Sequence, residues 1–260
     1  MTQNLKRWVR VALEGSPVWG LLEGESVVRV SGAPYGMWER AEALGSLNAL
    51  TLLAPATPSK IVCVGRNYAA HAAEHNAEVP TEPLLFLKPP SSVIGPGAPI
   101  LYPALSRQVE HEAELAIVIG QRCHAVAAER AWDYVLGVTC ANDVTARDIQ
   151  RSDKLWTRGK GFDTFCPLGP WLVTGVTAAD LADVAITCRV NGEVRQMGRT
   201  GEMVFTPAEI IAYITQVMTL EPGDVVLTGT PAGVSRLYPG DVVEVELESI
   251  GCLRNPIATP

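Results

Sequence analysis

The sequence predicts an α+β protein that is mainly β, with a small N-terminal β-rich domain over residues 1–57 and a larger domain over residues 58–260. Three observations predict it. Short runs rich in Val, Ile and Leu recur along the chain, bounded by Gly, Pro, Asn or Asp, which is how strands and their turns are written. Helical spacing is scarce, and its clearest stretch is Pro207 to Thr219. Ala54-Pro55-Ala56-Thr57-Pro58 reads as a linker by composition and divides the two domains.

With 260 residues, 47% hydrophobic and 19% charged, the chain can bury a sizeable core. A net charge of −7 without any basic cluster argues against a nucleic-acid partner and points to a small ligand. An anionic ligand would have to be drawn in by a metal and a few placed cations. The six cysteines, at 63, 123, 140, 166, 188 and 252, form no zinc knuckle or redox pair and read as small buried residues of a reducing cytosol. Met1 to Arg10 carries three basic residues but no apolar run of signal-peptide length follows, and no segment approaches a membrane span. The expected compartment is cytoplasmic.

In chain order, Trp8–Leu13, Val18–Leu22 and Val27–Val30 are separated by Gly15-Ser16 and Glu23-Gly24-Glu25, a meander of three short strands. Glu39 to Asn48 reads as a short helix. Ile61–Gly65 is a buried strand running into Arg66-Asn67-Tyr68, where Asn67 could cap a helix that carries His71 and Glu74 three apart on one face. A carboxylate beside an imidazole orients it and raises its basicity, so the pair is a candidate general base with its orienter; a surface ion pair is the alternative. Asn76 to Pro83, with its prolines and charges, reads as a mobile loop that could act as a lid. Leu84–Lys88 is a strand halted by Pro89-Pro90, and Ser91 to Pro103 reads as turns around short extended pieces.

Glu110-His111-Glu112-Ala113-Glu114-Leu115, continuing through Ile119, reads as the central strand. Alternation puts Glu112 and Glu114 on one face with Ala116 and Val118, and Ala113, Leu115, Ile117 and Ile119 on the other. Two carboxylates at the start of an apolar strand repel each other, and a hard divalent cation relieves that repulsion. Two solvated surface acids are the alternative, and a third carboxylate weighs against it. Val135–Ala141 is a strand that ends in Asn142-Asp143, of which only one could cap the helix that follows, and Asp143 supplies the third acid. Lys154 to Trp171 reads as an ordered loop in which Lys160 stands between two glycines that would let the backbone approach a ligand. A lysine in apolar surroundings needs an anion. Ala185–Val190 and Glu193–Arg195 flank Asn191-Gly192 as a hairpin. Thr206, Pro207 and Glu209 start a helix whose Ile210, Ile211, Ile214, Val217 and Met218 face the core. Val225 to Val234 is a strand leading to a Gly-rich loop, where N–H groups and the Thr230 hydroxyl could bind a carboxylate, and Asp241–Leu247 is a last strand.

Six of these segments, in series, resemble the fumarylacetoacetate hydrolase family. They are Gly65-Arg66-Asn67-Tyr68 with His71 and Glu74, Phe86-Leu87-Lys88-Pro89, Glu112-Ala113-Glu114-Leu115, Ala141 to Asp148, Lys160 to Pro170, and Gly229 to Val234. The resemblance implies a mixed β-roll with few helices. It implies Mg²⁺ or Mn²⁺ (Ca²⁺ as a stand-in) on Glu112, Glu114 and Asp143, with Lys160 at the substrate. It also implies that Arg147, Gln150 and Thr230 help hold a 2-oxo acid, that His71 and Glu74 are an acid–base pair, and that the protein is a homodimer. The expected activity is isomerase or decarboxylase on a dienedioate such as 2-hydroxyhepta-2,4-diene-1,7-dioate. Acylpyruvate hydrolase or oxaloacetate decarboxylase is the alternative within the family. A non-enzymatic metal-binding module is the alternative outside it, and it would need neither the lysine nor the His-Glu pair.

Overall fold

The computed structural model describes residues 5–260; the first residues of the 1–57 domain and of the basic Met1–Arg10 stretch lie outside the described residues. β1 (Lys6–Leu13), β2 (Ser16–Glu23) and β3 (Ser26–Gly32) form the expected antiparallel meander. The expected helix over Glu39–Asn48 is a strand instead: β4 (Trp38–Ser46) pairs antiparallel with β3, and only Leu47–Ala49 turn helically. The local sequence favours a helix, but β3 would otherwise present an open edge, and strand pairing outweighs so weak a propensity. Trp38 stands edge-on to Trp8 at 5.0 Å, while Arg29–Glu42 and Arg40–Glu23 ion pairs tie β4 to its neighbours.

The short β5 (Leu52–Leu53) pairs with β1, and β6 (Ile61–Gly65) leads into α1 (Ala69–Glu74). Asn67 does not cap α1. Its side chain accepts the Phe205 N–H and donates to the carbonyls of Phe205 and Thr228, pinning the corner after β6 to two distant loops. Tyr68 occupies the cap position without a side-chain bond. The stretch between α1 and β7 (Leu84–Lys88) is coil, touched at Glu82 by the Tyr213 hydroxyl. The short strands β8 (Val93–Ile94), β9 (Ile100–Leu101) and β10 (Val109–Glu110) precede β11 (Ala113–Ile119). β12 (Val135–Asn142) and β13 (Thr145–Ala146) then lead to α2 (Arg147–Ser152) and α3 (Thr157–Lys160). Ala146 precedes α2, so neither Asn142 nor Asp143 is a cap.

The expected loop over Lys154–Trp171 is helical at α3 and becomes β14 (Cys166–Thr174). β14 was hidden by its prolines and glycine, yet it pairs with β12 and β1 and is almost wholly buried. β15 (Ala185–Val190) and β16 (Glu193–Arg199) make the Asn-Gly hairpin. α4 (Pro207–Val217) starts as expected, with Thr206 Oγ1 and Glu209 forming a reciprocal capping box. β17 (Val225–Leu227), β18 (Val242–Leu247) and β19 (Gly251–Ala258) complete the chain.

The fold is mainly β, with mixed sheets. One sheet runs β4-β3-β2-β1-β14-β12-β11-β17-β6-β7, with β5 and β8 paired at its side; a second runs β16-β15-β18-β19-β9. β17 is parallel to β6, whereas β11 is antiparallel to both its neighbours. β11 is the core of the larger sheet and is buried along its whole length. Ala113, Leu115, Ile117 and Ile119 pack toward α4 and the second sheet; Ala116 and Val118 pack with Trp8, Leu172 and Val225 on the other side. The alternation expected of this strand is therefore what seats it. Among the described residues no helix is long and apolar enough to cross a membrane. All six cysteines are free, and only Cys252 is exposed.

Candidate active site

The site is built where strands end. Glu112 stands just before β11 and Glu114 is its second residue, so the pleat turns both carboxylates to one side. β12 runs antiparallel beside β11, pairing Ala113 with Asn142, and brings Asp143 to the same place. The Asn142 side chain accepts the Glu112 N–H at 2.9 Å, and Asp143 N–H donates to the Glu112 carbonyl at 2.9 Å. The carboxylates of Glu112, Glu114 and Asp143 each place an oxygen within 4.8 Å of the others, and all three residues are buried. That disposes of the alternative in which the two glutamates are surface acids.

Lys160 meets them from α3. Its Nζ donates to Glu112 Oε2 and Asp143 Oδ2, each at 2.7 Å. A Cβ at Gly159 would stand 2.9 Å from the Gln150 backbone, so this glycine lets α3 lie against α2. A second lysine, which the sequence reading passed over, is as deeply buried: Lys88 Nζ, at the end of β7, donates to Asp143 Oδ1 and to the Val144 carbonyl. A lysine closing the apolar run Leu84–Lys88 was the available signal. Arg147 opens α2 with its guanidinium committed to Glu110 Oε2 (2.7 Å), Glu112 Oε1 (2.6 Å) and Gln150 Oε1 (2.6 Å). Glu110 was likewise not singled out.

The charges explain the proton affinities. Burial alone would push the Glu112 carboxyl up, but Lys160 and Arg147 outweigh it and hold it well below the usual carboxylate range. Among the described residues Glu114 forms no ion pair. Burial, reinforced by Asp143 and Glu112, pushes its carboxyl well above the usual range, and its one recorded partner is the Gly229 N–H at 2.6 Å. Gly229 has φ +96°, and a Cβ there would lie 2.7 Å from Asn67 Cβ, so only glycine presents that N–H. Four buried carboxylates (Glu110, Glu112, Glu114, Asp143) thus meet three buried cations (Lys88, Arg147, Lys160). With all four ionised, the surplus negative charge would be on Glu114, which is why its carboxyl is held protonated more readily than the others. A cluster of carboxylate oxygens with unspent negative charge fits a hard divalent cation.

His71 is buried and faces the same cavity from α1, with Nδ1 3.3 Å from Glu74 Oε2. Glu74 also accepts the Gly233 N–H at 3.1 Å, so its position is set from the Gly-rich loop as well as from the helix. Burial lowers the His71 pKa below its ordinary value, leaving the ring neutral at pH 7. Thr230 Oγ1 donates to the Ala113 carbonyl at 2.9 Å and accepts from Gln196 Nε2 at 2.7 Å. Gln196 in turn takes the Ala113 N–H and His111 Nδ1 on its Oε1, a buried network tying β16 to the start of β11. All nine residues singled out from the sequence line one cavity of about 540 Å³.

The chain belongs to the fumarylacetoacetate hydrolase family: residues 60–258 match the family described as fumarylacetoacetate (FAA) hydrolase C-terminal, and residues 6–55 match the one described as Rv2993c-like, N-terminal. Over 206 residues it is 52% identical to Protein Rv2993c of Mycobacterium tuberculosis, covering 79% of this chain and 78% of that protein. It is 48% identical over 218 residues to a bovine protein named oxaloacetate tautomerase FAHD2A, mitochondrial, covering 80% of this chain and 69% of that one. Its structure resembles that of a 2-hydroxyhepta-2,4-diene-1,7-dioate isomerase from Mycobacterium marinum, with a TM-score of 0.89, 42% identity and 98% of each chain covered.

Proposed function

We propose that this chain is a divalent-metal-dependent enzyme that moves a proton on 2-oxo acids or their enols, with 2-hydroxyhepta-2,4-diene-1,7-dioate or a near relative as substrate. The observation that carries the reading is the pairing, across one cavity, of a buried imidazole with three clustered carboxylates. Glu112, Glu114 and Asp143 would hold Mg²⁺ or Mn²⁺. A cation bound there supplies a Lewis acid for the carbonyl and carboxylate oxygens of the substrate. His71, its Nδ1–H turned to Glu74, keeps a lone pair on Nε2 with which to take a proton from the carbon next to the carbonyl. Lys160 sets a fixed positive charge where the enolate oxygen gathers charge. Gln150 and Thr230, with Arg147 behind them, orient the 2-oxo acid. The names of the relatives, an isomerase and a tautomerase, describe the same class of proton transfer.

Decarboxylation and acylpyruvate hydrolysis are the competing reactions at such a site, and His71 separates them from isomerisation. Isomerisation moves a proton through His71 without a water attack; hydrolysis needs His71 to activate water; decarboxylation needs neither from it. The test is wild type and His71→Ala, each with Mg²⁺ or Mn²⁺, on a dienedioate, oxaloacetate and an acylpyruvate. The expected outcome is fast conversion of the dienedioate or of the oxaloacetate enol by wild type, a loss of about 10²–10⁴-fold in His71→Ala, and unchanged metal binding. Turnover of the acylpyruvate alone would transfer the reading to hydrolysis, and full activity in His71→Ala would end the acid–base assignment.

The same proposal includes residues 58–260 as the catalytic unit behind a 1–57 N-terminal unit. It also includes a cytoplasmic location, a homodimer, and a small-molecule partner without nucleic acid or membrane. These follow from family membership and composition, and sedimentation of the purified chain tests the dimer.

A further inference from the structure

The outer half of the cavity carries a charge pattern that the chemistry at its floor does not use. Arg66 and Arg151 both line it, and neither forms an ion pair or side-chain hydrogen bond among the described residues. The acids beside them are already engaged: Glu74 by His71 and the Gly233 N–H, Asp153 by the Arg158 guanidinium with both bonds at 2.7 Å. Unspent charge at the mouth is therefore positive, on a protein whose net charge is −7.

Arg66 is held there against a backbone cost. Its φ of +57° is in the left-handed region, which a non-glycine residue occupies only when its surroundings enforce it. The guanidinium lies over the Trp156 ring at 6.0 Å, and Trp156 packs so closely on Gly65 that a Cβ there would meet the ring at 2.5 Å. Trp156 stands edge-on to Phe86 at 5.2 Å, and Lys160 Nζ lies over Phe86 at 5.1 Å. One wall of the cavity is thus a chain of contacts from the cation at the reacting end, across two aromatic rings, to a free guanidinium at the mouth. Arg151 approaches from α2, one turn on from Arg147 and on the same face.

We propose that Arg66, seconded by Arg151, binds the far carboxylate of a dicarboxylic 2-oxo acid or enol whose unsaturated middle lies along Phe86 and Trp156. This rests on the reading of the floor as a site for the 2-oxo acid end, and it makes Arg66 the residue that selects diacids over monoacids. Two rings stand between the cations, so a diacid with a several-carbon spacer fits better than a four-carbon one.

The test is calorimetric binding to the full chain in Mg²⁺, comparing 2-oxoheptanedioate with 2-oxoheptanoate, which differ only in the far carboxylate, and 2-oxoheptanedioate with oxaloacetate. Wild type should bind the seven-carbon diacid about 10–100-fold tighter than the monoacid, the usual weight of a charge-assisted guanidinium–carboxylate contact. In Arg66→Gln that ratio should fall below about threefold, and Arg66→Lys should restore part of it. Arg151→Gln, a change at an exposed side chain, should lower the ratio by a smaller factor and serves where Arg66→Gln does not fold. A wild-type ratio near one, or a ratio that survives in both glutamine variants, would overturn the proposal while leaving the 2-oxo acid reading intact. Failure of wild type to bind any of the three acids would instead overturn that reading itself. Tighter binding of oxaloacetate than of the seven-carbon diacid would sink the assignment of the spacer to the aromatic wall.

Discussion

At the scale of single residues the site is governed by where uncompensated charge is allowed to remain. Glu112 and Asp143 have cations against them, and among the described residues Glu114 has only a backbone N–H. Glu114 is therefore the carboxylate whose charge in the folded protein depends most on a bound cation. Glu114→Gln keeps the shape and can still accept the Gly229 N–H, so the fold should survive. We expect unchanged thermal unfolding in the absence of added metal, together with a loss of Mg²⁺ affinity of at least tenfold by titration calorimetry. Tight Mg²⁺ binding in that variant would remove Glu114 from the ligand set. Seven of the nine residues singled out from the sequence are buried. Those read from the residues themselves needed no long-range partner to be suspected, because each breaks a local rule, whereas Arg147 and Gln150 came only from the family resemblance. Acids opened an apolar strand, a lysine sat among glycines, and an acid followed an imidazole by three. Arg66 and Arg151 broke no such rule. Arginines beside a strand end or on a short helix are ordinary, and only the absence of a partner in space makes them conspicuous.

Among the elements, the parallel pair β6–β17 poses a register problem that a hairpin would not. No short turn joins these strands, so something else must hold their starts together. Asp224, immediately before β17, does so. Its Oδ1 accepts the N–H groups of Ser59 (2.9 Å) and Lys60 (3.1 Å) and the Ser59 hydroxyl (2.7 Å), just before β6 begins. Its Oδ2 accepts the Glu221 N–H at 2.8 Å and the Lys60 ammonium. Burial alone would push the Asp224 carboxyl up, but the Lys60 ammonium and these donors outweigh it and lower its pKa. A carboxyl whose folded pKa lies below its unfolded value of about 3.9 stabilises the fold fully above that value, and loses the contribution as pH falls through the folded pKa. Asp224→Asn should cost about 2 kcal/mol or more at pH 7 in urea unfolding. The gap from wild type should narrow below about pH 4, where wild type protonates as well. A gap constant from pH 7 to pH 2 would show that the anchor does not act through its charge.

For the molecule as a whole, the N-terminal strands are not an appendage. β1 pairs with β14 through Lys6–Thr174, Arg7–Val173 and Trp8–Leu172, and Trp8, Leu21 and Val30 share a core cluster with Ile61, Leu172 and Val225. Removing residues 1–57 would open the β14 edge and uncover that cluster. A chain of residues 58–260 should therefore aggregate or melt well below the full protein in scanning calorimetry, even though every carboxylate of the site lies within it. Equal melting would mean that the shared cluster contributes little.

The sequence by itself determined what alternation and local chemistry can carry. It specified which face of β11 each residue takes, the Asn-Gly hairpin, the capped α4, the family and nine of the residues that line the cavity. The tertiary structure alone decided three other things. It turned Glu39–Asn48 from an expected helix into β4, because the open edge of β3 outweighs a weak local propensity. It made a strand of the proline-bearing β14, which lies between two neighbours that local composition cannot announce. It also distributed charge among Lys88, Arg147, Lys160 and four carboxylates, while leaving Arg66 and Arg151 without partners among the described residues at the mouth. Local pattern encodes direction along one element, whereas partnership depends on which segments, far apart in sequence, meet when the two sheets close.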